Sequence, residues 1–155
     1  MEINLICIGN KMPTWIEQGY SEYAKRLPSE LKLNLIEVAA EKRGKNADLE
    51  RIKQAEGSKL VAAIPKNSKV IALAIEGKSW STEQLAQNLI NWQLESSVIS
   101  LLIGGPEGLA ESCYKKADCQ WSLSSLTFPH PLVRVIIAEQ IYRAWSILKN
   151  HPYHR

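Results

Sequence analysis

This chain of 155 residues is 45% hydrophobic and 23% charged, the balance of an ordinary globular protein with one core over residues 1–155. Its formal net charge of +3 is too small to mark a nucleic-acid domain by charge alone. No apolar run reaches the roughly 18 residues of a membrane-crossing helix, which excludes a segment of that kind.

Met1-Glu2-Ile3-Asn4 lacks the basic start of a secretory signal, so a cytoplasmic location is expected. In chain order, Glu2–Ile8 is a mainly apolar strand ending at Gly9, and Trp15–Leu27 a helix closed by Pro28. Cys7 in that strand, with Cys113 and Cys119 later, forms neither a CxxC pair nor a metal spacing with histidine; free thiols and no metal site are expected. Leu31–Val38 alternates as a half-buried strand. Asp48–Ile64 is helical, with Asp48 near its positive end. Between them lies a basic loop, Lys42-Arg43-Gly44-Lys45-Asn46.

Lys69–Ile75 reads as a central strand, a nearly continuous apolar run. Ser81–Gln93 is a helix in which Ser81 and Gln84 make a capping-box pattern. Val98–Ile103 is a further buried strand, Leu109–Ala117 a short helix, Gln120–Leu123 a brief strand, and Leu132–Lys149 the last helix. Strands alternating with helices imply an α/β fold, a mostly parallel sheet covered on both faces. Periodicity alone makes it a flavodoxin-like sheet. In the last helix Val133, Ile137, Ile141, Ala144 and Leu148 form one stripe, which Leu132, Ile136 and Ile147 widen. So broad a surface fits burial against the parent sheet and a second body, or deep burial within one domain.

The chemistry is concentrated after Leu101. Gly104-Gly105-Pro106 brings bare backbone to the carboxyl edge of the sheet, where open α/β sheets bind ligands. GGPEG is neither the dinucleotide fingerprint nor a phosphate loop, so it is either a tight turn or a ligand contact. No GxSxG elbow surrounds Ser124, Ser125 or Thr127, and their hydroxyls read as loop groups bonded to backbone. His130 between two prolines starts a helix or serves catalysis. The end, NHPYHR, is a frayed tail or a functional cluster. Glu139 and Arg143 make an i, i+4 pair that supports the helix.

Together these segments closely resemble the RlmH family, small SPOUT-class methyltransferases of bacterial large-subunit ribosomal RNA. The resemblance spans essentially the whole chain: GNKMPTW at Gly9–Trp15, GYSEYAKRLP from Gly19, KRGKNAD at Lys42–Asp48, EGKSWSTEQLA from Glu76, LLIGGPEG, LTFPHPLVRV, EQIYRAW and HPYHR. It implies a SPOUT-type α/β knot, in which the carboxyl-terminal segment threads a preceding loop as a trefoil, and a homodimer through that region. It also implies an S-adenosylmethionine pocket at Leu73, Gly104 and Leu123, Ser124, Ser125, Leu126, Thr127 and Phe128. The implied reaction is methylation of N3 of a pseudouridine in 23S ribosomal RNA on assembled ribosomes. His154 is then expected as proton acceptor, Arg155 as anion stabiliser or RNA contact, and His130 and Tyr153 as further catalytic candidates, with one subunit's cofactor facing the other's tail. A SPOUT enzyme acting on another RNA such as tRNA, and a ribosome-binding factor without turnover, are the alternatives.

Overall fold

The computed structural model describes all 155 residues. Five parallel strands make one sheet: β1 (Glu2–Ile8), β2 (Lys32–Val38), β3 (Lys69–Ser79), β4 (Val98–Ile103) and β5 (Cys119–Ser122), in the order β2-β1-β4-β3-β5. Between and after them lie the helices α1 (Thr14–Ala24), α2 (Leu49–Ala62), α3 (Thr82–Glu95), α4 (Glu111–Lys116) and α5 (His130–Leu148). Alternation along a strand sends successive side chains to opposite faces. Ile3, Leu5 and Cys7 of β1 thus join one core with α1, α3 and α5, while Ile6 and Ile8 join a second with α2 and α4. β4 is treated the same way: Ile99, Leu101 and Ile103 face the first core and Leu102 the second. The expected sheet with helices on both faces is what the chain adopts. No helix is long and apolar enough to cross a membrane.

Local chemistry sets the helix starts. The Asp48 carboxylate accepts from Arg51 N–H at 3.2 Å, outside the first turn of α2. At α3 the capping box is complete: Gln84 N–H donates to Ser81 Oγ at 3.1 Å and Ser81 N–H to Gln84 Oε1 at 2.8 Å.

One strand departs from expectation. β3 does not end near Ile75; it loses register against β5 after Leu73–Trp121, then pairs again at Lys78–Trp121 and Ser79–Ser122. Ala74–Gly77 bulge out between these points, and Ala74, Ile75 and Glu76 enter the wall of the cleft described below. The polar, glycine-containing EGKS run hid this continuation, because strand pairing through backbone leaves no apolar signature.

The carboxyl terminus is a packed element, so the frayed-tail alternative is set aside. Pro152–His154 form a 3-10 turn, the Tyr153 ring lies 4.5 Å from that of Tyr142, and its hydroxyl donates to Glu139 at 3.0 Å. Arg143 and Arg26 bracket the same ring, their guanidinium carbons 5.0 Å and 5.9 Å from its centroid.

Candidate active site

The carboxyl ends of β4, β3 and β5 meet at a cleft of about 700 Å³. Its walls are the end of β3 with its bulge (Leu73–Glu76), the turn after β4 (Ile103–Leu109), the loop after β5 (Leu123–Phe128) and the first turn of α5 at His130 and Val133. Of the residues singled out for the cofactor, Leu73, Gly104, Leu123, Ser124, Leu126, Thr127 and Phe128 line this one cleft, and Ser125 does not. The size lies within the roughly 300–1,000 Å³ of small-molecule sites.

The turn after β4 is built on glycines for a steric reason. A Cβ on Gly104 would lie 2.5 Å from the backbone carbonyl carbon and oxygen of Gly108, so the chain closes on itself there. Gly108 adopts φ +83°, and its N–H donates to Gly105 C=O at 2.9 Å. Gly104→Ala should therefore open the turn and weaken S-adenosylhomocysteine binding at least about tenfold, measured by calorimetry. Unchanged affinity would separate the turn from the ligand.

The opposing loop is held by its own hydroxyls. Ser122 Oγ donates to Ser124 C=O at 3.1 Å, and Ser124 Oγ accepts from Leu126 N–H at 3.0 Å. Ser124 is thus a loop-shaping group rather than a nucleophile. Leu126 is left 69% exposed and Ile75 across the cleft 56% exposed, two apolar side chains with nothing over them. Beneath, Trp121 stacks on Trp80 at 4.9 Å.

The charge lining the cleft selects its ligand. Glu76, Glu107 and Glu111 line it with Lys53 as the sole lysine or arginine, and because Glu107 is ion-paired to Arg43 behind the wall, Glu76 and Glu111 carry the uncompensated negative charge. Such a wall disfavours phosphates and favours a ligand carrying positive charge beside a flat apolar body. S-adenosylmethionine, with an adenine, a sulfonium and no phosphate, satisfies that requirement. His130 at the cleft mouth has its pKa lowered by burial first and then by Arg134 and Arg43, which keeps its ring neutral.

The terminal candidates lie elsewhere in the chain. α5 spans 19 residues, about 28 Å at its rise per residue, and separates His130 at its start from Tyr153, His154 and Arg155 beyond its end. One protomer does not bring the two groups together. At the far end a second concavity of about 420 Å³ is lined by Thr82, Glu83, Arg143, Ile147 and His154. Buried Ser146 donates its hydroxyl to Arg143 C=O at 2.7 Å, so toward His154 Nδ1 at 3.2 Å its oxygen is left to accept. This contact is met by an Nδ1–H donor, and the tautomer that carries it has Nε2 as its acceptor nitrogen. Tyr153, raised to about 12 by burial and by its bond to Glu139, keeps its proton at neutral pH and serves as a donor, not as a base. Arg155 is exposed.

Two functional features escaped the sequence reading. Arg143 and Glu139 are more than a helix-supporting pair, because Glu139 also holds Tyr153; their spacing from the aromatic tail was the available signal. Buried Arg134 follows Val133 on the apolar side of α5, where a cation signals a partner deep in the fold.

Residues 1–154 match the family described as predicted SPOUT methyltransferase. A sheet-edge cleft suited to a phosphate-free cation agrees with that match, and the chain belongs to the SPOUT methyltransferases, enzymes that methylate RNA with S-adenosylmethionine as donor.

Proposed function

We propose that this protein methylates N3 of a pseudouridine in 23S ribosomal RNA, as an RlmH-type enzyme acting as a homodimer on assembled ribosomes. The observation that carries this reading is the separation of two half-sites by the length of α5. A cofactor cleft at one end and a histidine with an acceptor nitrogen at the other can meet only if a second copy supplies one of them. A face for that copy is available: Leu132, Ile136 and Ile147, at helical spacing along α5, are only partly covered. We also infer that the carboxyl-terminal segment threads a preceding loop as a trefoil, a reading supported by the convergence of both loops and the start of α5 on one cleft.

S-adenosylmethionine supplies a methyl group already activated by its sulfonium. The protein's part is alignment and proton removal. Leu73, Gly104 and the loop residues Leu123, Ser124, Leu126, Thr127 and Phe128 would hold the donor, and the partner's tail would orient the uracil ring. His154 Nε2 accepts the N3 proton while Arg155 stabilises the developing anion.

The test is incubation with radiolabelled S-adenosylmethionine and unmodified ribosomes, followed by mapping of the methylated nucleotide. Label on N3 of a 23S pseudouridine supports the reading; label on tRNA assigns another SPOUT substrate, and no label indicates a binding factor. Because Lys42 and Lys45 are exposed on the loop before α2, ribosome binding should weaken steeply with salt. Lys42→Ala with Lys45→Ala should flatten that slope by about two phosphate contacts. An unchanged slope removes the loop from the interface.

A further inference from the structure

Arg43 belongs to the same basic loop, yet it faces inward. All five of its guanidinium N–H groups are used within the protein. Nε and Nη2 donate to Glu107 at 3.1 and 2.5 Å, Nη1 and Nη2 donate to Glu56 at 3.0 and 2.9 Å, and Nη1 also donates to the Glu41 carbonyl at 3.1 Å. Glu56, on α2, is 3% exposed and also accepts from Glu41 N–H at 3.0 Å. One planar cation therefore joins three places: the loop before α2, α2 itself, and the turn after β4.

That turn is the glycine-built wall of the cleft. Glu107 lies inside it, between Gly105 and Gly108, and lines the cavity. Gly105 rests directly on the ion cluster, since a Cβ there would sit 3.2 Å from Glu56 Oε1 and 3.3 Å from Arg43 Nη2. Glycines give the turn its shape but no stiffness of their own. What holds it against the protein is a bidentate charge-assisted pair, half-buried and so little screened.

We propose that Arg43 is a positioning residue of the cofactor cleft, holding the Gly104–Gly108 turn through Glu107 in the form that accepts the adenosyl ligand. Lysine cannot do this, because an ammonium cannot present a planar fork to two carboxylates. The proposal rests on the reading that this cleft binds S-adenosylmethionine.

The experiment compares S-adenosylhomocysteine binding, by calorimetry, in the wild-type protein, Glu107→Gln and Arg43→Lys. Glu107→Gln leaves the Arg43–Glu56 pair intact, and Arg43→Lys keeps a cation beside buried Glu56, so thermal unfolding should still show a cooperative transition. Each variant is expected to bind about tenfold more weakly or worse. Its KM for S-adenosylmethionine should rise by more than its kcat falls, a split that general loosening of the fold would not produce. Wild-type affinity in folded Arg43→Lys overturns the proposal, even where Glu107→Gln binds weakly, because Glu107 itself lines the cleft; wild-type affinity in folded Glu107→Gln overturns it as well. A wild-type protein that ignores S-adenosylhomocysteine overturns the reading of the cleft itself, and this proposal with it.

Discussion

Deleting Asn150–Arg155 should abolish methyl transfer while leaving affinity for S-adenosylhomocysteine within about twofold. The reason is distance. The tail packs on the end of α5 through Tyr142, Glu139, Arg143 and Ser146, while the cleft opens at the other end of the same helix. Nothing in the tail lines the cleft of its own chain, so its removal leaves that binding surface intact. Chemistry is another matter, because the N3–H of a pseudouridine is a weak acid that must lose its proton at or before methyl transfer. Positioned general bases contribute about 10²–10⁴-fold, and His154→Ala should lose turnover on that scale. Tyr153→Phe should cost less, since its phenol keeps its proton at neutral pH and acts by holding the tail to Glu139. Rates would be read by labelled transfer to unmodified ribosomes. Turnover by the truncated protein within tenfold of wild type would remove the tail from the mechanism.

Arg134→Ala should destabilise the fold by about 3–5 kcal/mol, through its lost bonds to buried carbonyls and the space its side chain vacates. In a chain of this length that lowers the thermal midpoint by on the order of 10 °C. The Arg134 side chain is 2% exposed and donates to Glu37 at 2.8 Å, to Ile8 C=O at 3.1 Å and to Gly9 C=O at 2.7 Å. It thereby ties α5 to the carboxyl end of β1 and to the outer strand β2. Removal leaves two carbonyls without a donor, each a cost of about 1–3 kcal/mol where buried, while Glu37, one-third exposed, recovers part of its loss in water. Arg134→Met should not restore stability, because packing volume cannot replace those bonds. A melt displaced by less than about 2 °C would show that the carbonyls find other partners.

Much of the fold was legible because its signals are local. Runs such as VISLLI and EINLICI declare buried strands; Asp48 and the Ser81–Gln84 pair declare helix starts. α1 and α2 end at Ala24 and Ala62, three and two residues short of the expected Leu27 and Ile64, where the chain turns before Pro28 and Pro65. The continuation of β3 was not legible, since a backbone ladder through EGKS needs β5 beside it. Nor was the inward turn of Arg43. In the sequence it is one cation among Lys42, Lys45 and itself, and only the approach of Glu56 and Glu107 from distant segments distinguishes it.

For the site the same division holds. The sequence by itself determined which segments carry the chemistry: a glycine turn, an apolar hydroxyl-bearing loop and an aromatic, histidine-bearing end. Composition and spacing suffice for that, because each is a property of neighbouring residues. Tertiary structure alone decided that the first two share a cleft lined by three glutamates, and that a rigid 19-residue helix holds the third away from them. Distances between residues remote in sequence depend on how strands pair and helices cover the sheet, and no local pattern encodes them.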